Sequence, residues 1–246
     1  DRHYLLYYGT GNYSATTNLY NNATINRVVR YQADSATNFT TLVSNSRTVL
    51  IGATKQTGIP VTTGFHDGGC LFFGADKSLI IAVGDLSISA GGAADTGSYN
   101  GTYWAQAIAD SILPVSHNVG SFRSQLVNSY SGKILRIDPL TGNGIAGNPF
   151  YDSGNPSSCA SRVWALGLRN PFRCFLKPGT GSADITAADP GVIIINEVGY
   201  NKKEEISVCE NGGENFGWPL YEGLSVQTNY MNATTKNPDA INPLGG

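Results

Sequence analysis

Charge is scarce in this 246-residue chain. Lys and Arg number 16 and Asp and Glu 18, so charged residues make up 14%, against roughly a quarter in an ordinary soluble domain. A net charge of −2 and a pI near 5.9 leave no basic footprint of the kind that grips phosphates, which argues against nucleic acid as a partner. No apolar run approaches the ~18 residues of a membrane-spanning helix. Helical periodicity is nearly absent: Tyr103 to Leu113, stopped by Pro114, is the one stretch that predicts a short helix. The four cysteines never fall as CxxC, which argues against zinc. Met231 is the only methionine and no leader-like segment precedes Asp1, so the chain reads as starting at a processed or truncated end.

What is abundant is glycine, with 30 copies, and tyrosine, with 13. Short β-rich runs alternate with turn clusters, as in an all-β protein of many strands. Expected strands cover Tyr4–Tyr8, Ile25–Gln32, Arg47–Ile51, Leu71–Phe73, Leu79–Val83, Lys133–Ile137, Val163–Leu168, Cys174–Leu176, Val192–Asn196 and Glu205–Val208. Two hairpins about a hundred residues apart echo each other. Each runs strand, turn, apolar strand, then an acidic residue near Gly: Asp85 in the first and Glu197 in the second. Such an echo predicts a closed, radially repeated architecture, which protects strand edges. Five N-x-S/T sequons, at Asn12, Asn22, Asn38, Asn100 and Asn232, point to a secreted glycoprotein. Cys70, Cys159, Cys174 and Cys209 then fit one or two disulfides; spacing leaves all three pairings open, with Cys174–Cys209 preferred.

Three places carry residues suited to chemistry. His66, in Thr63-Gly64-Phe65-His66-Asp67-Gly68-Gly69, has the side chain of a general base and sits beside glycines that admit close approach. Asp85 ends the partner strand of the same hairpin, where it could hold the imidazole's tautomer. A turn histidine beside a surface aspartate gives the same pattern. Arg169-Asn170-Pro171 offers a guanidinium and an amide at a strand end, or simply a strand cap and a turn. Glu197 to Asn201 could lend carbonyls to a hard cation, and Glu204-Glu205 with Gly212 to Pro219 forms a turn-rich segment around Trp218.

These fragments also occur in a telling order. His66-Asp67-Gly68-Gly69, Leu71 to Asp76, Val83-Gly84-Asp85, Gly132 to Asp138 and Asn148-Pro149-Phe150 are followed by Trp164 to Pro171, Glu197-Val198-Gly199, Glu204-Glu205-Ile206 and Gly217-Trp218-Pro219. From about Tyr4 to Gly223 the chain resembles the soluble glucose/sorbosone (aldose sugar) dehydrogenases that use pyrroloquinoline quinone (PQQ), a family that includes Hedgehog-interacting-protein-like domains. The resemblance implies a six-bladed β-propeller, of which this single partial domain covers about four blades. It implies an aldose oxidised at the anomeric carbon, with hydride passing to PQQ and onward to an external electron acceptor. His66 would be the base and Asp85 its orienting acid. Arg169 and Asn170 would contact the quinone, and the Gly199 and Tyr200 carbonyls would hold its calcium ion. Glu205 and the Phe216 carbonyl would serve a second calcium. Tyr200 stands where relatives often carry Pro or Gln. The family's first blade and last two, with cationic cofactor partners, would lie beyond either end, so the fragment alone is expected to be inactive. An oligomer or assembly partner is an alternative cover for its open edges. The competing expectation is a non-catalytic extracellular propeller used for adhesion, ligand binding or assembly.

Overall fold

The computed structural model describes the backbone of residues 3–10 and residues 22–88 and 93–233 in full. The Asn12 sequon and most of the polar loop after the first strand lie outside the described residues. Strands β1 (His3–Thr10), β2 (Thr24–Gln32), β3 (Thr48–Ile51) and β4 (Ile59–Val61) form one antiparallel sheet, in which both β3 and β4 pair with β2. Strands β5 (Gly68–Phe73) and β6 (Leu79–Val83) precede the short helix α1 (Trp104–Ala109). Strand β7 (Lys133–Ile137), the single turn α2 (Cys159–Arg162) and strand β8 (Val163–Leu166) follow, and β5-β6-β7-β8 is a four-stranded meander. Strands β9 (Pro171–Leu176), β10 (Ile193–Glu197) and β11 (Glu205–Cys209) make a third sheet. A small hairpin of β12 (Tyr221–Glu222) and β13 (Ser225–Val226), then α3 (Thr228–Met231), complete the series.

The sheets stack face to face, and the sequence of β6 shows why. Leu79-Ile80-Ile81-Ala82-Val83 is buried throughout, a run suited to a strand covered on both faces. Side chains alternate across a strand. Leu79, Ile81 and Val83 therefore meet Val28, Ile51, Ile59 and Val61 of the first sheet, while Ile80 and Ala82 meet Cys174, Ile193 and Ile195 of the third. This is the all-β, radially stacked arrangement of a propeller. The far face of the third sheet leaves Phe172, Phe175, Ile206 and Val208 exposed.

Two polar features of β7 lock the meander. Lys133 is fully buried, and its Nζ donates to the carbonyls of Arg123, Ser124 and Ser131 at 3.1, 2.8 and 2.6 Å, so every ammonium proton has an acceptor. Arg136 grips Asp76, in the β5–β6 turn, through Nε and Nη2 at 2.9 and 2.6 Å, and donates to Asn148 at 2.9 Å. Asn148 in turn donates to the Arg136 and Ser161 carbonyls.

Two expectations change. The helix expected over Tyr103–Leu113 covers only Trp104–Ala109, because Ser111 adopts a left-handed φ of 57° and the chain turns out of the helix. Cys174 and Cys209 do not pair. They sit on β9 and β11, with β10 between them, Cys174 opposite Ile195 and Cys209 opposite Ile193. Two strand spacings of about 4.8 Å exceed the reach of a disulfide. All four cysteines stand as free thiols. The sequons at Asn22, Asn38, Asn100 and Asn232 are all exposed.

Candidate active site

The β5–β6 pairing places the start of β5 against the end of β6, with Gly68 opposite Val83. Two glycines permit the closeness. Gly68 has a φ of 70°, and a Cβ on Gly84 would fall 1.9 Å from the His66 carbonyl oxygen. His66 itself holds a left-handed φ of 59°, a conformation that a non-glycine residue keeps only where its surroundings insist. What insists is Asp85. His66 Nδ1 lies 2.8 Å from Asp85 Oδ1. An ionised carboxylate carries no proton, so Nδ1–H donates and the lone pair is left on Nε2.

Asp85 is fully buried, yet its carboxylate lacks no partner. Besides His66 it accepts from Ser87 N at 3.0 Å, Ser87 Oγ at 2.7 Å and Trp218 Nε1 at 2.7 Å. Ser87 Oγ continues to Ser121 Oγ at 2.7 Å, and that hydroxyl to Tyr230 at 2.8 Å. Burial pushes the Asp85 carboxyl up, but the His66 charge and hydrogen bond, the Arg169 charge and Ser87 outweigh it, leaving the group below its usual value of 3.8. A carboxyl lowered on folding stabilises the fold above its unfolded pKa and loses that contribution as pH falls through the folded value. Acid titration followed by circular dichroism should therefore show this contribution disappear from about pH 4 downward, and the Asp85→Asn protein should lack that part of the slope. Trp218→Phe keeps the ring and removes one donor to a buried carboxylate. It should cost about 1–3 kcal/mol in chemical denaturation, and a cost near zero would show that the indole N–H does not hold Asp85.

Arg169 joins the dyad to the third sheet. Its carbonyl accepts from Asp85 N at 2.7 Å, and its own N–H donates to Glu197 Oε1, which also takes Asn170 N at 3.2 Å. The two acidic residues of the hairpin echo thus meet at one peptide unit. The Arg169 guanidinium lies over the Trp218 and Tyr200 rings, 5.4 and 5.7 Å from their centroids, and donates to the Val198 carbonyl at 2.9 Å. Asn170 is half-buried.

Gly199, Glu205 and Phe216 surround one cavity of about 10 Å³, together with Arg169, Glu197, Trp218 and Glu222, room for one water or ion. Tyr200 lines a neighbouring cavity with Gly199 and Asn201 to Glu204. Burial pushes Glu197 up to about 8, with the Glu205 and Asp85 charges adding to it against the Arg169 and Asn170 amides. Burial raises Glu205 as well, and the charges of Glu222 and Glu204 add to it against a backbone hydrogen bond from Gly223. Glu222 is buried and accepts the backbone N–H groups of Tyr200 at 2.5 Å, Asn201 at 3.2 Å and Lys202 at 2.9 Å. Wrapping three consecutive amides round one carboxylate fixes the 199–202 loop, as a nest holds an anion. Among the described residues no three His, Cys, Asp or Glu side chains form a metal cluster, but Glu197, Glu205 and Glu222 line this cavity, and hard cations take carboxylate and carbonyl oxygens alike.

The family model for glucose/sorbosone dehydrogenase matches residues 11–245. The chain belongs to that family. Two relatives from Arabidopsis thaliana are similar over much of it. HIPL1 protein is 26% identical over 208 residues, covering 80% of this chain and 24% of its own length. HIPL2 protein is 29% identical over 181 residues, covering 69% and 20%. Two solved structures described as glucose dehydrogenase share the fold at a TM-score of 0.56, with 19% and 20% identity. Each match covers 89% of this chain and 46% or 45% of the other. The chain thus spans a quarter or less of the curated relatives and under half of the solved structures. No helix among the described residues is long and apolar enough to cross a membrane.

Within the glucose/sorbosone dehydrogenase frame, the structure brings His66, Asp85 and Arg169 into one bonded unit and gathers Gly199, Glu205 and Phe216 around one cavity. Sequence reasoning missed the residues that hold these in place. Trp218, which the sequence placed only in a turn-rich segment, bonds Asp85 across 133 residues. Glu222 and Ser87 gave no signal, apart from Ser87 lying two residues after Asp85.

Proposed function

We propose that this chain is part of the catalytic propeller of an extracellular quinoprotein aldose dehydrogenase. The observation that carries the reading is the His66–Asp85 contact. A fully buried, four-fold hydrogen-bonded carboxylate fixes the imidazole so that Nε2 is the proton acceptor, the arrangement a general base needs. His66 takes the proton of the sugar's anomeric hydroxyl at Nε2, and Asp85 stabilises the imidazolium that results. Bound PQQ supplies the hydride acceptor, and calcium supplies a Lewis acid. The residues suit those groups in two respects. The carboxylate-rich cavity at Gly199, Glu205 and Phe216 is ion-sized, and burial there raises both Glu197 and Glu205, a cost that a divalent cation relieves. The Tyr200 carbonyl, Arg169 and Asn170 are this chain's remaining contribution to the calcium and the quinone. The exposed sequons support secretion and glycosylation, and an external acceptor would reoxidise the cofactor.

One observation favours a non-catalytic propeller for adhesion, ligand binding or assembly. The Arg169 guanidinium already rests on Trp218 and Tyr200 and bonds Val198, so it braces the site more than it opens toward a ligand. Titrating the full-length protein with PQQ, with and without a calcium chelator, separates the two. The dehydrogenase reading expects saturable binding that the chelator abolishes; no binding in calcium supports the second reading.

A further inference from the structure

Away from the dyad, the stacked sheets bring two cysteines together. Cys70 lies on β5 and Cys174 on β9, 104 residues apart in sequence. Cys70 Sγ lies 3.2 Å from the Cys174 carbonyl oxygen and accepts from the Cys174 N–H, also at 3.2 Å. Cys174 is buried between the second and third sheets among Ile80, Ala82, Ile193 and Ile195, while Cys70 is half-buried at the edge of that cluster. The hydrogen bond to Cys174 pulls the Cys70 thiol down to about 6, against burial, helped by the Cys174 N–H and the Arg173 charge. The same bond and burial push Cys174 up. One sulfur is thus a nucleophile at neutral pH and its neighbour retains its proton. The other two cysteines are placed differently. Burial pushes Cys159, in α2, up to about 12. Burial likewise raises Cys209 to about 12, and its sulfur faces the Asn211 carbonyl.

We propose that Cys70 and Cys174 are a disulfide-forming pair that staples the second sheet to the third under oxidising conditions. With a low-molecular-weight disulfide such as oxidised glutathione, the Cys70 thiolate attacks one sulfur and expels a thiolate, which takes the proton of Cys174. Cys174 then attacks the Cys70 sulfur of the mixed disulfide and expels the second thiolate, which is protonated by water. Two protein thiols are oxidised by two electrons, and one small disulfide is reduced to two thiols. The staple ties the strand that begins just after His66 to the strand that begins just after Arg169 and Asn170, so both halves of the site are anchored to one covalent link.

Peptide mapping of the full-length protein tests this without reference to its activity. The protein is equilibrated with oxidised glutathione, alkylated after acid quenching and digested without reductant. The expected result is a Cys70 peptide linked to a Cys174 peptide, with Cys159 and Cys209 alkylated. In the Cys174→Ser protein, Cys70 should instead carry glutathione. Reduction should lower the unfolding midpoint of the native protein by roughly 5–10 °C and leave that of Cys70→Ser unchanged. Alkylation of both Cys70 and Cys174, linkage of either to Cys159 or Cys209, or a midpoint indifferent to reduction overturns the proposal.

Discussion

Replacing His66 by Ala lowers turnover with aldoses by about 10²–10⁴, the usual worth of a general base, while PQQ binding is kept. The split follows from the geometry. Among the described residues the imidazole's hydrogen bond runs from Nδ1 to Asp85, so removing it takes away Nε2 without disturbing Arg169, Asn170 or the 199–202 loop. The fold loses one of the four hydrogen bonds to the Asp85 carboxylate, a cost of about 1–3 kcal/mol, while Ser87 and Trp218 still hold that group. Steady-state kinetics beside quinone titration checks the prediction. If binding falls as steeply as turnover, His66 is a structural residue.

Changes at Asp85 have the second large effect, and two substitutions separate its roles. Asp85→Asn keeps the shape but can present an N–H to His66 Nδ1, which places the imidazole proton on Nε2 and removes the base. Turnover should fall by on the order of 10³–10⁴, while the fold survives. Asp85→Ala leaves Trp218 Nε1 and the Ser87 donors facing a cavity beside an unpaired His66. Breaking a buried pair in this way costs about 3–5 kcal/mol, or roughly 6–20 °C in unfolding midpoint for a chain of this size. Calorimetry of both proteins checks the contrast. Equal loss of stability in the two would show that the carboxylate's charge, not its hydrogen-bond count, holds the fold.

The parts legible in sequence were those fixed by local pattern. Leu79–Val83, an apolar run that follows a turn, read as one strand of a hairpin, and the structure covers both its faces. A six-residue strand, a tight turn and a five-residue strand return the chain to its start, so His66 and Asp85 had to lie near each other. The collinear motifs pointed to the family that the comparisons then showed. What stayed hidden was set by distant packing. Trp218 reaches Asp85 from 133 residues away, and nothing in Gly217-Trp218-Pro219 says where the indole points. The preferred Cys174–Cys209 pairing failed because spacing is silent about an intervening strand: β10 separates the two, whereas sheet stacking brings Cys70 to Cys174. The helix ended early at Ser111, whose left-handed turn leaves no mark in an apolar pattern that continues through Ile112 and Leu113.

The most direct measurement is optical. Full-length protein loaded with calcium and PQQ is mixed with aldoses, and the quinone absorbance is followed. If His66, held by Asp85, is the base of an aldose dehydrogenase, at least one aldose reduces the bound quinone stoichiometrically, and the His66→Ala protein, with quinone bound, reduces it at least a hundredfold more slowly. Quinone that binds and stays oxidised with every aldose at saturating concentration contradicts the account.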